Sequence, residues 1–186
     1  MVYYEVRLHG RGGQGVVLAG RLLGEALMNA GYYAQSYPEF GAERSGAPVT
    51  AFLRASDSMI EVRSPITRPH YVAVIDPYLS LEGSVVEGLR EGGMVVANAA
   101  MEPSKLRDVL KPGVNCRVAT VNATKIALNV LGRNNPNTAV LGALAAATGI
   151  VPLEFLTDAA MRVFPGRVGE LNAEAIRRGA AEVAVA

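Results

Sequence analysis

Residues 10–15 read Gly10-Arg11-Gly12-Gly13-Gln14-Gly15, and they follow directly on an alternating run, Tyr3-Tyr4-Glu5-Val6-Arg7-Leu8. Four glycines in six positions at the end of a strand pattern constrain this chain more than anything else in it. A strand that turns tightly into a helix leaves the first helical N–H groups without partners and aimed outward, and side chains at the turn would keep a ligand away from them. Gly10, Gly12 and Gly15 carry the dinucleotide spacing G-x-G-x-x-G, with Gly13 extra. The turn suits phosphate or another anion; without a ligand it is a tight structural turn.

The segments around the turn set the fold class. Val16, Val17, Gly20, Leu23, Leu27 and Ala30 recur at helical spacing, so a helix is expected over 15–30, ended by Gly31. A strand over 32–37 completes a β-turn-α-β unit of the kind that opens nucleotide-binding sheets. Residues 38–48 hold two prolines and two glycines and read as a loop. A hairpin is expected next, with a strand over 49–55, a turn at Asp57-Ser58 and a return strand over 59–62. Near-continuous apolar runs at 71–75, 94–97 and 118–121 read as buried strands. Asp76-Pro77 is a helix-start signal for a helix over 79–89. Further helices are expected at 105–110, after 124, and over 139–147, 153–164 and 172–183. The pattern predicts one domain over 1–186, a three-layer α/β/α architecture with a mostly parallel, mixed sheet, a Rossmann-like first unit and a helical C-terminal third.

Composition excludes several functions. Eighteen basic against seventeen acidic residues give a net charge of +1, with no basic excess for nucleic acid. A single cysteine, Cys116, allows neither an internal disulfide nor a cysteine-held cluster. His9 and His70 stand far apart without a neighbouring cysteine, so no metal site is expected and neither histidine is given a duty. No signal-peptide pattern opens the sequence and no apolar stretch is long enough to span a bilayer, so a cytoplasmic protein without membrane contact is expected.

The remaining candidates are polar residues at turns. Arg11 could pair with a phosphate. The loop carries Glu39, Phe40, Glu43, Arg44 and Ser45 in a short stretch, where an arginine can clamp an anion and a carboxylate can orient it. On a dinucleotide reading Glu39, near the end of the second strand, holds the ribose. His9, Tyr37, Asp76, Asn98 and Asn122 all fall at predicted strand ends and outline one rim, although helix caps and turns account for most of them singly. No nucleophile–base–orienter set is visible, so no catalytic residue is assigned, and Cys116 reads as a packing residue.

Taken together, Gly10–Gly15 and the run Tyr37-Pro38-Glu39-Phe40-Gly41-Ala42-Glu43-Arg44-Ser45-Gly46-Ala47-Pro48-Val49 closely resemble the gamma subunit of 2-oxoacid:ferredoxin oxidoreductases. Asn122-Ala123-Thr124, residues 137–143 and the tail 164–179 are similar too, and the Tyr-Pro-Glu-Phe-Gly wording looks pyruvate-type. The resemblance implies a subunit of an enzyme that oxidatively decarboxylates a 2-oxoacid to an acyl-CoA and passes two electrons to ferredoxin. It implies thiamine diphosphate and iron–sulfur clusters on alpha, beta and delta-type partner subunits. It also implies that Gly10, Arg11, Gly12, Gly13, Gln14, Gly15, Glu39, Phe40, Glu43, Arg44, Ser45 and Asn122 are candidates for contact with coenzyme A. Two other readings stand beside it: a free-standing NAD- or flavin-binding oxidoreductase, and a purely structural assembly subunit that packs the small-residue helix 139–147 against a partner.

Overall fold

A computed structural model describes residues 2–39 and 46–186. Its centre is a seven-stranded sheet of order β2-β3-β1-β4-β5-β6-β7. β1 (Tyr3–Arg11) runs through the middle, three residues longer than the alternating pattern alone predicts. Val6 and Leu8 are fully buried on one face while Arg7 and His9 project to the other, the two-residue period of a strand. β1 pairs in parallel with β4 (Tyr71–Val74), which pairs in parallel with β5 (Met94–Asn98), and that with β6 (Arg117–Val121). The expected apolar runs therefore become a buried parallel core. At the far edge a two-residue strand, β7 (Ala184–Val185), lies antiparallel to β6, in a region where the sequence shows no strand signal.

The other half of the sheet differs from the expected hairpin. β3 (Pro48–Ser56) is antiparallel to β1 along its whole length, and β2 (Tyr33–Pro38) is antiparallel to β3. β2 is thus parallel to β1, as a β-α-β unit requires, but β3 sits between them. With both edges of β3 taken, residues 59–62 have no ladder to join and form no strand. Side chains hold this segment instead. Gln35 Nε2 donates to Ile60 O at 2.9 Å, and Arg54 Nη2 and the Tyr37 hydroxyl donate to Ser64 O at 2.7 and 2.6 Å. Arg54, 1 % exposed, is neutralised by Glu5 at 3.0 Å, and Arg90 reaches the same carboxylate at 2.9 Å.

Helices cover the two faces unequally. α1 (Val16–Asn29), α3 (Ala123–Leu131), α4 (Asn137–Thr148), α5 (Leu153–Val163) and α6 (Gly166–Glu182) form one layer over Val6, Leu8, Ala73, Ile75, Val96 and Val121. α2 (Pro103–Leu110) forms the other, over Val72, Val74, Val95 and Val118. Two 3-10 turns, Leu79–Leu81 and Gly83–Val86, join α2 there in place of the expected helix over 79–89. Asp76 does start the segment, accepting from Tyr78 N and Leu79 N, but Glu82 is extended and Gly83 and Gly88 lower helix propensity at both ends of what remains. Over β1 and β3 the same face carries Arg7, His9, Thr50 and Arg54 around a single Phe52 rather than an apolar stripe. Among the described residues no helix is long and apolar enough to cross a membrane.

The small-residue helix is not free to meet a partner. Every residue from Asn137 to Ala145 is buried, and α4 and α6 cross with their backbones in contact. A Cβ on Gly142 would fall on the carbonyl of Ile176, and one on Gly179 on the carbonyl of Ala139. Thr138 Oγ1 also donates to Asn172 Oδ1 at 3.1 Å across the same crossing. α6 begins at Gly166, six residues before the expected start, because its first turns pack against the end of α5, where a Cβ on Gly169 would lie 2.6 Å from Phe164 O. Gly142→Ala and Gly179→Ala should each cost about 1–3 kcal/mol through forced separation of the two helices. In the same urea-unfolding series Gly24→Ala, whose new Cβ would meet only Leu53 and Ser36 at 3.6 and 3.7 Å in mid-α1, should gain roughly 0.5–1 kcal/mol.

Candidate functional site

The glycine turn is built on one amide side chain. Gln14 Oε1 accepts from Arg11 N at 2.8 Å, Gln14 N donates back to Arg11 O at 3.1 Å, and Gln14 Nε2 donates to Asp76 Oδ2 at 2.8 Å. Gln14 therefore closes the turn on itself and ties it to the end of the neighbouring strand. Gly13 and Gly15 take positive φ, 93° and 72°, which places Gly15 as the left-handed residue immediately before α1. Asn137 at the start of α4 donates to Gly15 O at 3.3 Å, and its side-chain nitrogen lies 2.5 Å from where a Cβ on Gly15 would stand. α1 has no capping side chain.

Asp76 lies at a strand end of the expected rim and reads in sequence only as a helix-start signal. It is 3 % exposed and serves both purposes: Oδ1 accepts from Tyr78 N and Leu79 N at 3.0 and 2.9 Å, and Oδ2 accepts from Gln14. Arg11 Nε lies 3.5 Å from Oδ1. Burial raises its pKa, but the Leu79 amide, the Gln14 amide, the Tyr78 amide and the Arg11 charge outweigh that and hold it below the ordinary carboxylate value. The next two strand ends are tied in the same manner. Asn98 donates to Ile75 O at 2.8 Å and to Thr124 Oγ1 at 2.9 Å, and Asn122 accepts from Lys125 N at 3.1 Å as the N-cap of α3. The side-chain oxygen of Asn122 is thus engaged as a cap.

The second motif segment meets the first. Arg11 pairs with Pro48 at the end of the β1–β3 ladder, Gly12 N donates to Ala47 O at 2.9 Å, and Arg11 Nη1 donates to Gly46 O at 3.2 Å. Phe40, Glu43, Arg44 and Ser45 lie outside the described residues. Glu39, the acid assigned to a ribose on the dinucleotide reading, ends a strand that β3 separates from β1. It lines a different cavity, together with Arg7, His9 and Thr50 on the face of the sheet opposite α1.

That cavity was not foreseen, because Arg7 and His9 read in sequence as the polar half of an alternating strand. His9 Nε2 accepts from Arg7 Nε at 3.1 Å, and burial together with the Arg7 charge brings the imidazole pKa down to about 4. His70 Nδ1 accepts from Glu5 N at 3.0 Å and its ring packs among Tyr3, Tyr4 and Tyr71, a structural arrangement. Cys116 is buried and burial pushes its thiol pKa up, which suits packing rather than nucleophilic chemistry.

The Gln14–Asp76 clamp has a pH signature. A carboxyl whose pKa is lower folded than unfolded adds stability above its unfolded value and loses it as pH falls through the folded one. Asp76→Asn should therefore be less stable than the parent by about 1–3 kcal/mol at pH 7, with the difference shrinking as pH falls below the ordinary 3.8. Urea midpoints across pH 3–7 measure this directly, and a gap that does not narrow would remove Asp76 from the clamp.

Comparison with known proteins agrees with this geometry. Residues 5–182 match the family described as pyruvate ferredoxin/flavodoxin oxidoreductase. The chain is 46% identical over 173 residues to the common subunit gamma of the pyruvate/ketoisovalerate oxidoreductases of Thermococcus litoralis, covering 93% of each sequence. It is similar to the crystal structure of pyruvate oxidoreductase subunit PORC from Thermotoga maritima, with a TM-score of 0.88 and 40% identity over 100% of this chain and 99% of that one. A 2-oxoglutarate:ferredoxin oxidoreductase from Magnetococcus marinus, solved with 2-oxoglutarate, coenzyme A and succinyl-CoA bound, shares the fold at a TM-score of 0.77 and 19% identity. There it spans 97% of this chain but 31% of the longer one. The match runs from within β1 through the glycine turn to the last residue of α6, and the chain belongs to the pyruvate ferredoxin/flavodoxin oxidoreductase family.

Proposed function

We propose that this chain is the gamma subunit of a cytoplasmic, thiamine-diphosphate-dependent 2-oxoacid:ferredoxin oxidoreductase acting on pyruvate. The complex removes carbon dioxide from the 2-oxoacid, transfers two electrons to ferredoxin and passes the acyl group to coenzyme A. This chain's part is to help hold coenzyme A and to join alpha, beta and delta-type subunits, and alone it is inactive. The observation that carries the reading is the meeting of the two motif segments, Gly12 N on Ala47 O and Arg11 Nη1 on Gly46 O, which makes a single rim of the glycine turn and the base of the 38–48 loop. A rim bearing Arg11, with Arg44 in the same loop, suits a phosphorylated ligand.

Thiamine diphosphate supplies carbanion-stabilising chemistry and iron–sulfur clusters carry electrons, and a single cysteine cannot supply the thiolates that hold such a cluster. Among the described residues no three His, Cys, Asp or Glu side chains gather to hold a metal ion, and the one cysteine is buried. These groups are assigned to the partner subunits. The dinucleotide alternative is disfavoured because Glu39 ends a strand set apart from β1 by β3.

The test is made in the assembled enzyme. Arg44→Ala and Arg11→Ala should each raise the KM for coenzyme A roughly tenfold, the order expected for one charge-assisted hydrogen bond, with the KM for pyruvate unchanged. If both variants keep the KM for coenzyme A and the turnover of the parent, the rim has no part in binding it and the chain's role reduces to assembly.

A further inference from the structure

β2 is one edge of the sheet, and its outer side is open. In an antiparallel pair, alternate residues turn their N–H and C=O toward the partner strand and the others turn them away. Glu39 N donates to Thr50 O at 2.9 Å in the β2–β3 register, so Tyr33, Gln35 and Tyr37 face β3 while Ala34, Ser36 and Pro38 face outward. The same alternation lets β2 hold Pro38, which stands where β3 asks for no N–H. Tyr32, next in the outward series, already gives its N–H to Leu27 O at 3.0 Å. Among the described residues nothing takes the N–H or C=O of Ala34 or Ser36, or the carbonyl of Pro38.

Space and side chains accompany that row of backbone groups. A cavity of about 440 Å³ lies against residues 34–37, with Arg63 on its wall. A second, of about 290 Å³, shares Ala34 and Gln35 with the first and lies between Met28 at the end of α1 and Met59 in the segment that crosses the sheet. Met28, Tyr33 and Met59 are each more than half exposed, and one cavity gathers them into a patch. Arg63 is exposed as well, and no other charged side chain lines either cavity. The edge thus has the parts of a strand-docking groove: backbone donors and acceptors, an apolar end and a cationic end.

Two copies of this edge fit each other poorly. Pairing β2 with β2 about a two-fold axis would bring both Arg63 side chains to one short ladder, and a cation beside an edge strand works against self-pairing. A strand that carries a carboxylate there is attracted by the same charge. We propose that the β2 edge takes an extended segment of another subunit of the complex, roughly five residues long to span Ala34 to Pro38. It continues the sheet beyond β2, with an apolar side chain in the Met28–Tyr33–Met59 cavity and an acidic one at Arg63. This rests on the reading of the chain as a subunit that joins partners, and names the surface that does so.

Amide hydrogen exchange is measured on the isolated full chain and on the enzyme assembled with its other subunits. Ala34 and Ser36 should exchange freely in the isolated chain and roughly a hundredfold more slowly in the assembly, while Gln35, already facing β3, changes little. Arg63→Glu alters an exposed side chain, so the isolated variant should melt with the parent. In competition with the parent it should be incorporated about tenfold less well, and Arg63→Lys should restore incorporation. Ala34 and Ser36 amides that stay open in the assembled enzyme, or Arg63→Glu incorporated as well as the parent, would overturn the assignment and leave the subunit reading intact. Protection already present in an isolated chain of dimeric mass would give the edge to a second copy and overturn it too. A chain that joins no partner subunit would overturn both.

Discussion

The antiparallel ladder between β1 and β3 runs from Tyr3 opposite Ser56 to Arg11 opposite Pro48, and the placement of every candidate residue follows from it. Because β3 ends where the glycine turn begins, the chain leaving the 38–48 loop arrives directly beside Gly12. Because β3 occupies the edge of β1 that β2 would take in an ordinary β-α-β unit, the acid at the end of β2 is carried one strand away from the turn. And because both edges of β3 are filled, the following segment has to cross the sheet's face rather than extend it. One pairing choice thus brings the two motif segments together, removes the ribose-binding acid, and roofs a polar patch of sheet.

That roofed patch holds two arginines, one buried and one half-buried, in different ways. Arg54 lies against Glu5, and its remaining donors go to the Tyr37 hydroxyl and the Ser64 carbonyl. This network fastens residues 62–64 to the sheet and needs nothing from outside. Arg7 is fastened as firmly by geometry, through His9, Val85 and Glu87, but by neutral acceptors. The carboxylate of Glu5 touches Arg54 directly, whereas for Arg7 burial lowers the pKa and the charges of Glu87 and Glu39 work against that at longer range, compensating the guanidinium.

Much of this was legible in the residues, for identifiable reasons. Alternation placed β1, and apolar runs placed β4, β5 and β6, because burial on one or both faces imposes those patterns locally. Gly10–Gly15 and the Tyr37–Val49 run together carried the family. What was not legible is what depends on partners distant in sequence. Residues 49–55 and 59–62 alternate like a hairpin, and nothing local says that β3 has already paired on both sides. Leu79 to Leu89 has helical apolar spacing after a sound start signal, yet tertiary packing and two glycines reduce it to 3-10 turns. The small residues of α4 announced a close backbone contact without saying that its partner, Ile176 in α6, belongs to the same chain. The odd dipeptide Gly13-Gln14 marked the turn as unusual, but its reason, Asp76, lies 62 positions away.

That reason also bears on how the turn can act. In a dinucleotide turn the backbone amides are left free for a pyrophosphate. Here the amides of Arg11, Gly12 and Gln14 are already engaged by the Gln14 side chain, Ala47 and Arg11. A buried carboxylate also lies behind them, facing any incoming phosphate with a like charge. The turn is therefore held in shape without a ligand, and among the described residues the amides it leaves without an acceptor are those of Gly13, Gly15 and the first residues of α1. The Arg11 side chain offsets Asp76 on one side and is 34% exposed on the other. The glycines let α1 and the loop base close in around that arginine, so the open amides at the start of α1 and the one exposed guanidinium border the same turn.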